Sequence, residues 1–306
     1  MPEEMKSLAP DSAGPLEVAE GLETAPPSEL EELVRVAVEA AEAGAAVLRR
    51  FFRGADLEVR TKGANDFVTR ADKESEEAIL AVLLGHYPEH HVLAEESGAS
   101  HAAAPADDVC QWIIDPLDGT SNFLHGLPVF CVSIGCRRGG ELIAAVILDP
   151  MGDNLFTASK GGGAWWNGRR MQVAKNPGLP SAFLATGYPF RVRAALDLYL
   201  DIFRDIFLQC RGIRRCGAAA LDLAYTAAGV YDGFFELRLS PWDFAAGVLL
   251  VEEAGGVVTD YDGGQNYFEG GNILAGNAGV HAGLLETIGR HATEAKITHI
   301  MGDGKA

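Results

Sequence analysis

The run Trp112-Ile113-Ile114-Asp115-Pro116-Leu117-Asp118-Gly119-Thr120-Ser121-Asn122-Phe123 constrains the fold more than any other stretch. Its bulky apolar residues predict a buried strand that carries Asp115 to its end, where Pro116 is expected to stop the ladder. Asp118-Gly119 then predicts a tight turn, and Thr120-Ser121-Asn122 a helix start. A chain built this way brings two carboxylates, three residues apart, to the tip of one strand. Hard divalent cations such as Mg²⁺ take oxygen ligands of this kind. The N–H groups of Gly119 and Thr120 would face a phosphate placed at the helix start. Metal and anion sites would therefore adjoin, as phosphoryl hydrolysis requires.

Three further acids fall at comparable places. Val92-Leu93-Ala94 is a short apolar strand running into Glu95-Glu96-Ser97. Asp72 follows Val68-Thr69-Arg70-Ala71, where an extended segment enters a helix, and Asp243 opens the apolar stretch Phe244-Ala245-Ala246-Gly247. Each has an ordinary alternative: Asp72 or Asp243 as a helix cap worth about 1 kcal/mol, Glu95 and Glu96 as solvated surface. Four acidic sites at strand tips or helix starts point instead to a basin for more than one metal.

The rest of the chain supplies the frame. Ser28 and Glu31 form a capping box, and Leu30, Leu33, Val34, Ala37, Ala41, Leu48 and Phe52 recur at helical spacing, predicting a helix to about Arg53. A second helix is expected over 72–84. Short apolar runs at 92–94, 112–114, 129–136, 142–148 and 155–158, with hairpin signals at Arg138-Gly139-Gly140 and Asn167-Gly168, predict a largely antiparallel sheet. Beyond Pro180, helices over 196–208, 218–228 and 244–254 alternate with strands over 234–237, 257–260 and 273–275. Two lobes (28–178 and 179–295) sharing layers within one α+β catalytic domain, 28–295, are expected. Residues 1–27, rich in Pro, Glu and Ala, read as a disordered acidic tail, and 296–306 as a flexible end.

Composition narrows the function. The 306 residues are 48% apolar and 22% charged, with no apolar run approaching the roughly 20 residues of a membrane span. Twenty-five basic against 43 acidic residues leave a net charge of −18, which makes nucleic acid a poor ligand. Five cysteines without metal-ligand spacing, and no leader-like N-terminus, read as reduced thiols of a cytoplasmic protein. His90-His91 reads as exposed surface. Arg214-Arg215 could meet a substrate phosphate or a partner subunit, with the interface favoured.

The ordered set Glu95-Glu96-Ser97, Asp115-Pro116-Leu117-Asp118-Gly119-Thr120 and Trp242-Asp243-Phe244-Ala245-Ala246-Gly247 resembles the inositol monophosphatase family, from about residue 30 to about residue 290. Tyr231-Asp232-Gly233-Phe234-Phe235-Glu236 and Glu253-Ala254-Gly255-Gly256 look closest to the bacterial inositol-1-monophosphatases. The resemblance implies a layered αβαβα sandwich of the sugar-phosphatase type, usually a homodimer. It implies two or three Mg²⁺ ions held by Glu95, Asp115, Asp118, Asp243 and the Leu117 carbonyl. Asp72 and Thr120, with Glu95, would handle the attacking water. Gly119 and Thr120 would meet the phosphate, and Asp118, Ala219 and Glu236 the substrate hydroxyls. One departure stands out: Gly217-Ala218-Ala219-Ala220-Leu221 replaces a common Gly-Ser-Ala-Ala-Leu, so a serine hydroxyl is missing there.

The implied activity is Mg²⁺-dependent, lithium-sensitive hydrolysis of inositol 1-phosphate or a similar small polyol phosphate. Fructose 1,6-bisphosphatase and 3′-phosphoadenosine 5′-phosphate phosphatase share the metal basin and differ in the walls. A regulatory binding protein on the same scaffold, with the acidic tail as its arm, is the alternative from another class.

Overall fold

The computed structural model describes residues 28–54, 59–63, 66–99, 108–189, 193–293 and 297. The expected tail, 1–27, and almost all of the expected flexible end lie outside the described residues.

The chain opens with α1 (Glu29–Phe51), a hairpin of β1 (Arg60–Gly63) and β2 (Asp66–Val68), and α2 (Arg70–His86). The Ser28–Glu31 capping box forms, Glu31 N–H donating to Ser28 Oγ and Ser28 N–H to Glu31 Oε2. Strands β3 (His91–Ala94), β4 (Gly98–Ala99) and β5 (Gln111–Asp118) follow, then the short α3 (Thr120–Leu124). Next come β6 (Cys131–Arg138), β7 (Glu141–Asp149), β8 (Asn154–Ser159), β9 (Gly163–Trp166) and β10 (Arg169–Arg170). The second half runs β11 (Phe183–Thr186), α4 (Leu196–Phe207), β12 (Gly212–Arg214), α5 (Ala219–Ala227), β13 (Gly233–Glu236) and α6 (Pro241–Glu253). It ends with β14 (Val257–Thr259), α7 (Tyr267–Gly270), β15 (Ile273–Gly276) and α8 (Ala278–Gly289).

Eight strands form one sheet in the order β10-β9-β8-β7-β6-β5-β3-β4, antiparallel except where β3 runs parallel to β5. Five form a mixed sheet, β12-β11-β13-β15-β14. Helices α1 and α2 bury Leu33, Val36, Leu48 and Ile79 against one face of the large sheet. The apolar α5 and α6 fill the space between the two sheets, and α4 and α8 cover the outer face of the smaller one. The result is an αβαβα sandwich, an α+β fold. Close approach in the middle layer needs small residues: a Cβ on Gly135 would lie 3.1 Å from Ala245 Cβ.

Two expectations need correction. Pro116 does not end its strand, because β5 continues to Asp118 and accommodates the missing N–H in a β-bulge. His90 is not exposed surface: its ring stacks on Tyr87 at 4.4 Å and approaches Trp112. Among the described residues no helix is long and apolar enough to cross a membrane.

Candidate active site

The bulge in β5 is the local feature from which the site is built. Asp115 pairs with Ser133 and Asp118 with Cys131, so two β5 residues, Pro116 and Leu117, oppose Val132 alone. In an unbroken strand, residues three apart face opposite sides. The extra residue resets that alternation and turns Asp115 and Asp118 into the same cleft. Asp115 Oδ1 accepts the Leu117 N–H at 2.9 Å, which fixes the kinked backbone. Gly119 follows at φ +97°, where a Cβ would fall 2.8 Å from Val129 O, so only glycine fits and α3 starts sharply at Thr120.

Other elements deliver the remaining acids. The N–H of Glu95 continues the β3–β5 pairing by donating to Ile114 O. Its turn is pinned from α2: Glu76, buried, accepts the N–H groups of Glu96 and Ser97, each at 2.9 Å. One turn earlier on α2, Asp72 Oδ2 accepts Thr69 N–H at 2.9 Å and Thr69 Oγ1–H at 2.5 Å. Its Oδ1 is left to face Thr120 Oγ1 at 3.2 Å. Between them, Ser75 Oγ donates to Pro116 O. Asp243 stands in the first turn of α6 and accepts Ser240 N–H at 2.7 Å. Asp118 Oδ2 accepts Ala220 N–H at 2.7 Å and so caps α5, a helix whose own N-cap, Ala218, lacks a capping side chain.

Glu95, Asp115, Leu117, Asp118, Gly119, Thr120, Ala219, Glu236 and Asp243 all line one cleft open to solvent. Asp72 lies behind Thr120 and reaches the cleft through that hydroxyl. Sequence reasoning missed Glu76 and Asp222, whose signals were an acid one turn beyond Asp72 and an acid inside an apolar helix; for Arg215 it leaves a substrate phosphate or a partner subunit open and favours the interface. Arg215 joins the cleft wall, whereas Arg214 stacks over Phe183. Ala218 lines the cleft without a hydroxyl.

The electrostatics follow from burying acids together. Burial, then Glu95, Asp118 and Asp243, hold the Asp115 carboxyl well above the usual range. Burial and Asp243 push Asp118 to about 7, against the N–H groups of Ala220 and Ala219. Burial lifts Asp72 to about 6, opposed by its bonds from Thr69. Six acids and one arginine line the wall. Such a cleft repels a phosphate unless cations neutralise it, and clustered carboxylates beside a backbone carbonyl are the donors that hard divalent ions take. Among the described residues no three acid, imidazole or thiol groups close into a compact ligand cage; the donors line an open cleft instead.

Comparison with known proteins gives the same direction. The model of the inositol monophosphatase family matches residues 29–293. A Pseudomonas aeruginosa protein named Nus factor SuhB is 47% identical over 265 residues, covering 86% of this chain and 97% of that protein. A Mesorhizobium japonicum protein named inositol-1-monophosphatase is 44% identical over 257 residues, 84% of this chain and 96% of that one. The crystal structure of the extragenic suppressor protein suhB from Bartonella henselae superposes with a TM-score of 0.81 at 41% identity, over 85% of this chain and all of that one. The chain belongs to the inositol monophosphatase family.

Proposed function

We propose that this chain is a Mg²⁺-dependent phosphomonoesterase acting on inositol 1-phosphate or a similar small polyol phosphate. The observation that carries the reading is the bulge that turns Asp115 and Asp118 into one cleft with Glu95 and Asp243. These four carboxylates and the Leu117 carbonyl would hold two or three Mg²⁺ ions. Once bound, the metal neutralises phosphate charge and acidifies the attacking water.

The chain's own groups do the rest. Thr120 Oγ1 orients the water and relays its proton to Asp72 Oδ1, 3.2 Å away. An acid near 6 is ionised at neutral pH yet basic enough to take that proton. The N–H groups of Gly119 and Thr120 meet phosphate oxygens at the start of α3. Glu236, at the end of β13, and the α5 start at Ala219 would contact the hydroxyls of the alcohol. The name of the Mesorhizobium relative supports this substrate class. Phosphate release from inositol 1-phosphate, fructose 1,6-bisphosphate and 3′-phosphoadenosine 5′-phosphate tests it. Inositol 1-phosphate is expected to be the best substrate, because Arg215 is the lone cation on the described wall for a second phosphate.

A second reading, partner binding in transcription, is favoured by the name of the Pseudomonas relative. An Asp115→Asn protein without turnover that still replaces the wild type in a transcription assay would establish it. The row Leu196, Leu200 and Phe207, exposed along α4, supports a homodimer, which sedimentation would detect.

A further inference from the structure

The cleft has two halves of different origin. β3, β5 and α6 contribute the acids placed above as metal ligands, and β11, β13 and α5 contribute the opposite wall. On that wall, Asp222 projects from α5. It is 1% exposed, lines the cleft, and its Oδ1 has no hydrogen-bond partner. A buried polar atom left unpaired destabilises a fold, and an apolar residue at this position would avoid that cost. The residue that carries it lines the cleft, where a bound molecule can supply the partner.

The surroundings indicate what kind. Glu236 shares this wall, and a Cβ on Gly187 would lie 1.9 Å from its Oε1, so the glycine leaves room for that carboxylate at the cleft. Burial, then Glu236 and Asp118, raise the Asp222 carboxyl well above the usual range, which favours its protonated form. A neutral carboxyl offers one donor and one acceptor, as a hydroxyl does. It suits neither phosphate nor a metal.

We propose that Asp222 is a specificity-determining residue that pairs with a hydroxyl of the substrate alcohol next to the one met by Glu236, selecting polyols with neighbouring hydroxyls. The proposal rests on the phosphomonoesterase reading. It adds a contact that a simple alkyl or aryl phosphate cannot make, and a site built to bond a hydroxyl discriminates against esters lacking it.

The test compares kcat/KM for inositol 1-phosphate with that for phenyl phosphate, using the full chain with Mg²⁺. In Asp222→Ala the ratio is expected to fall about tenfold, mostly through KM. Asp222→Asn, which keeps a donor and an acceptor, is expected to recover most of it, and guards against misfolding of the alanine variant. Equal losses on both esters would overturn the proposal, because a purely structural residue affects both alike. Wild-type protein that releases phosphate from neither ester would sink the phosphatase reading separately. Calorimetry with myo-inositol then decides: binding by wild type that is lost in Asp222→Ala supports the contact, and equal or absent binding in both overturns it.

Discussion

Asp115 and Asp118 stand three residues apart on one strand and still face the same cleft, because the β5 bulge opposes Pro116 and Leu117 to a single residue of β6. Proline at that point has no N–H to lose from the ladder, so the residue that breaks the pairing also aims the acids. A regular strand that kept the three-residue spacing would return the pair to opposite faces.

Asp72→Asn separates proton handling from metal binding. Turnover is expected to fall about a hundredfold or more, with little change in the Mg²⁺ concentration giving half-maximal rate. The base must be ionised to accept a proton, so wild-type kcat is expected to decline as the pH drops below about 6. A large loss of Mg²⁺ affinity in the variant would contradict this role.

Stability without metal should depend on pH in an unusual direction. Asp72 and Asp118 have folded values of about 6 and about 7, raised above their unfolded values near 4. Between those limits the native state holds more protons than the unfolded chain, so stability falls as pH rises from about 4 through 7. Melting measured in EDTA should be lower at pH 8 than at pH 5. Mg²⁺ should restore stability most at the alkaline end. A higher melting temperature at pH 8 without metal would refute the burial argument.

Glu76 acts through the turn it holds. Glu76→Gln replaces one carboxylate oxygen with an amide N–H aimed at a backbone N–H of Glu96 or Ser97. A loss of about 1–3 kcal/mol in stability is expected, with a higher Mg²⁺ requirement as Glu95 loosens. Denaturant unfolding and a metal titration read the two effects. Unchanged values in both would mean the turn stands without Glu76.

Lithium is expected to inhibit. A small hard monovalent ion suits the oxygen ligands of Asp115, Asp118 and Asp243 but neutralises less charge, so it should trap the enzyme with phosphate bound. Inhibition should be uncompetitive towards substrate. Purely competitive kinetics at millimolar Li⁺ would rule out that second position.

What the sequence revealed tracks how local the determinants are. The capping box of Ser28 and Glu31 and the helical spacing of α1 lie within one element, as does the apolar run of β5. The bulge at Pro116 depends on how many residues the neighbouring strand supplies, which no local pattern encodes. Helix α8 went unread because Gly279, Gly283 and Gly289 obscure its periodicity, although Asn277 caps it through the N–H groups of Gly279 and Val280. Strands β11 and β12 are short and parallel, without hairpin turns to mark them. The partner of Glu76 lies twenty residues away, and Asp222 gains its meaning only from the cleft that tertiary packing creates.

The most direct measurement is the Mg²⁺ dependence of phosphate release from inositol 1-phosphate by wild-type and Asp115→Asn proteins, with melting curves as the check on folding. Wild type should turn over only with Mg²⁺. Asp115→Asn should lose at least about a hundredfold in kcat. It should melt at or above the wild-type temperature without metal, because a buried acid crowded by Glu95, Asp118 and Asp243 has gone. An Asp115→Asn protein with normal, Mg²⁺-dependent turnover would contradict the carboxylate basin as the seat of catalysis.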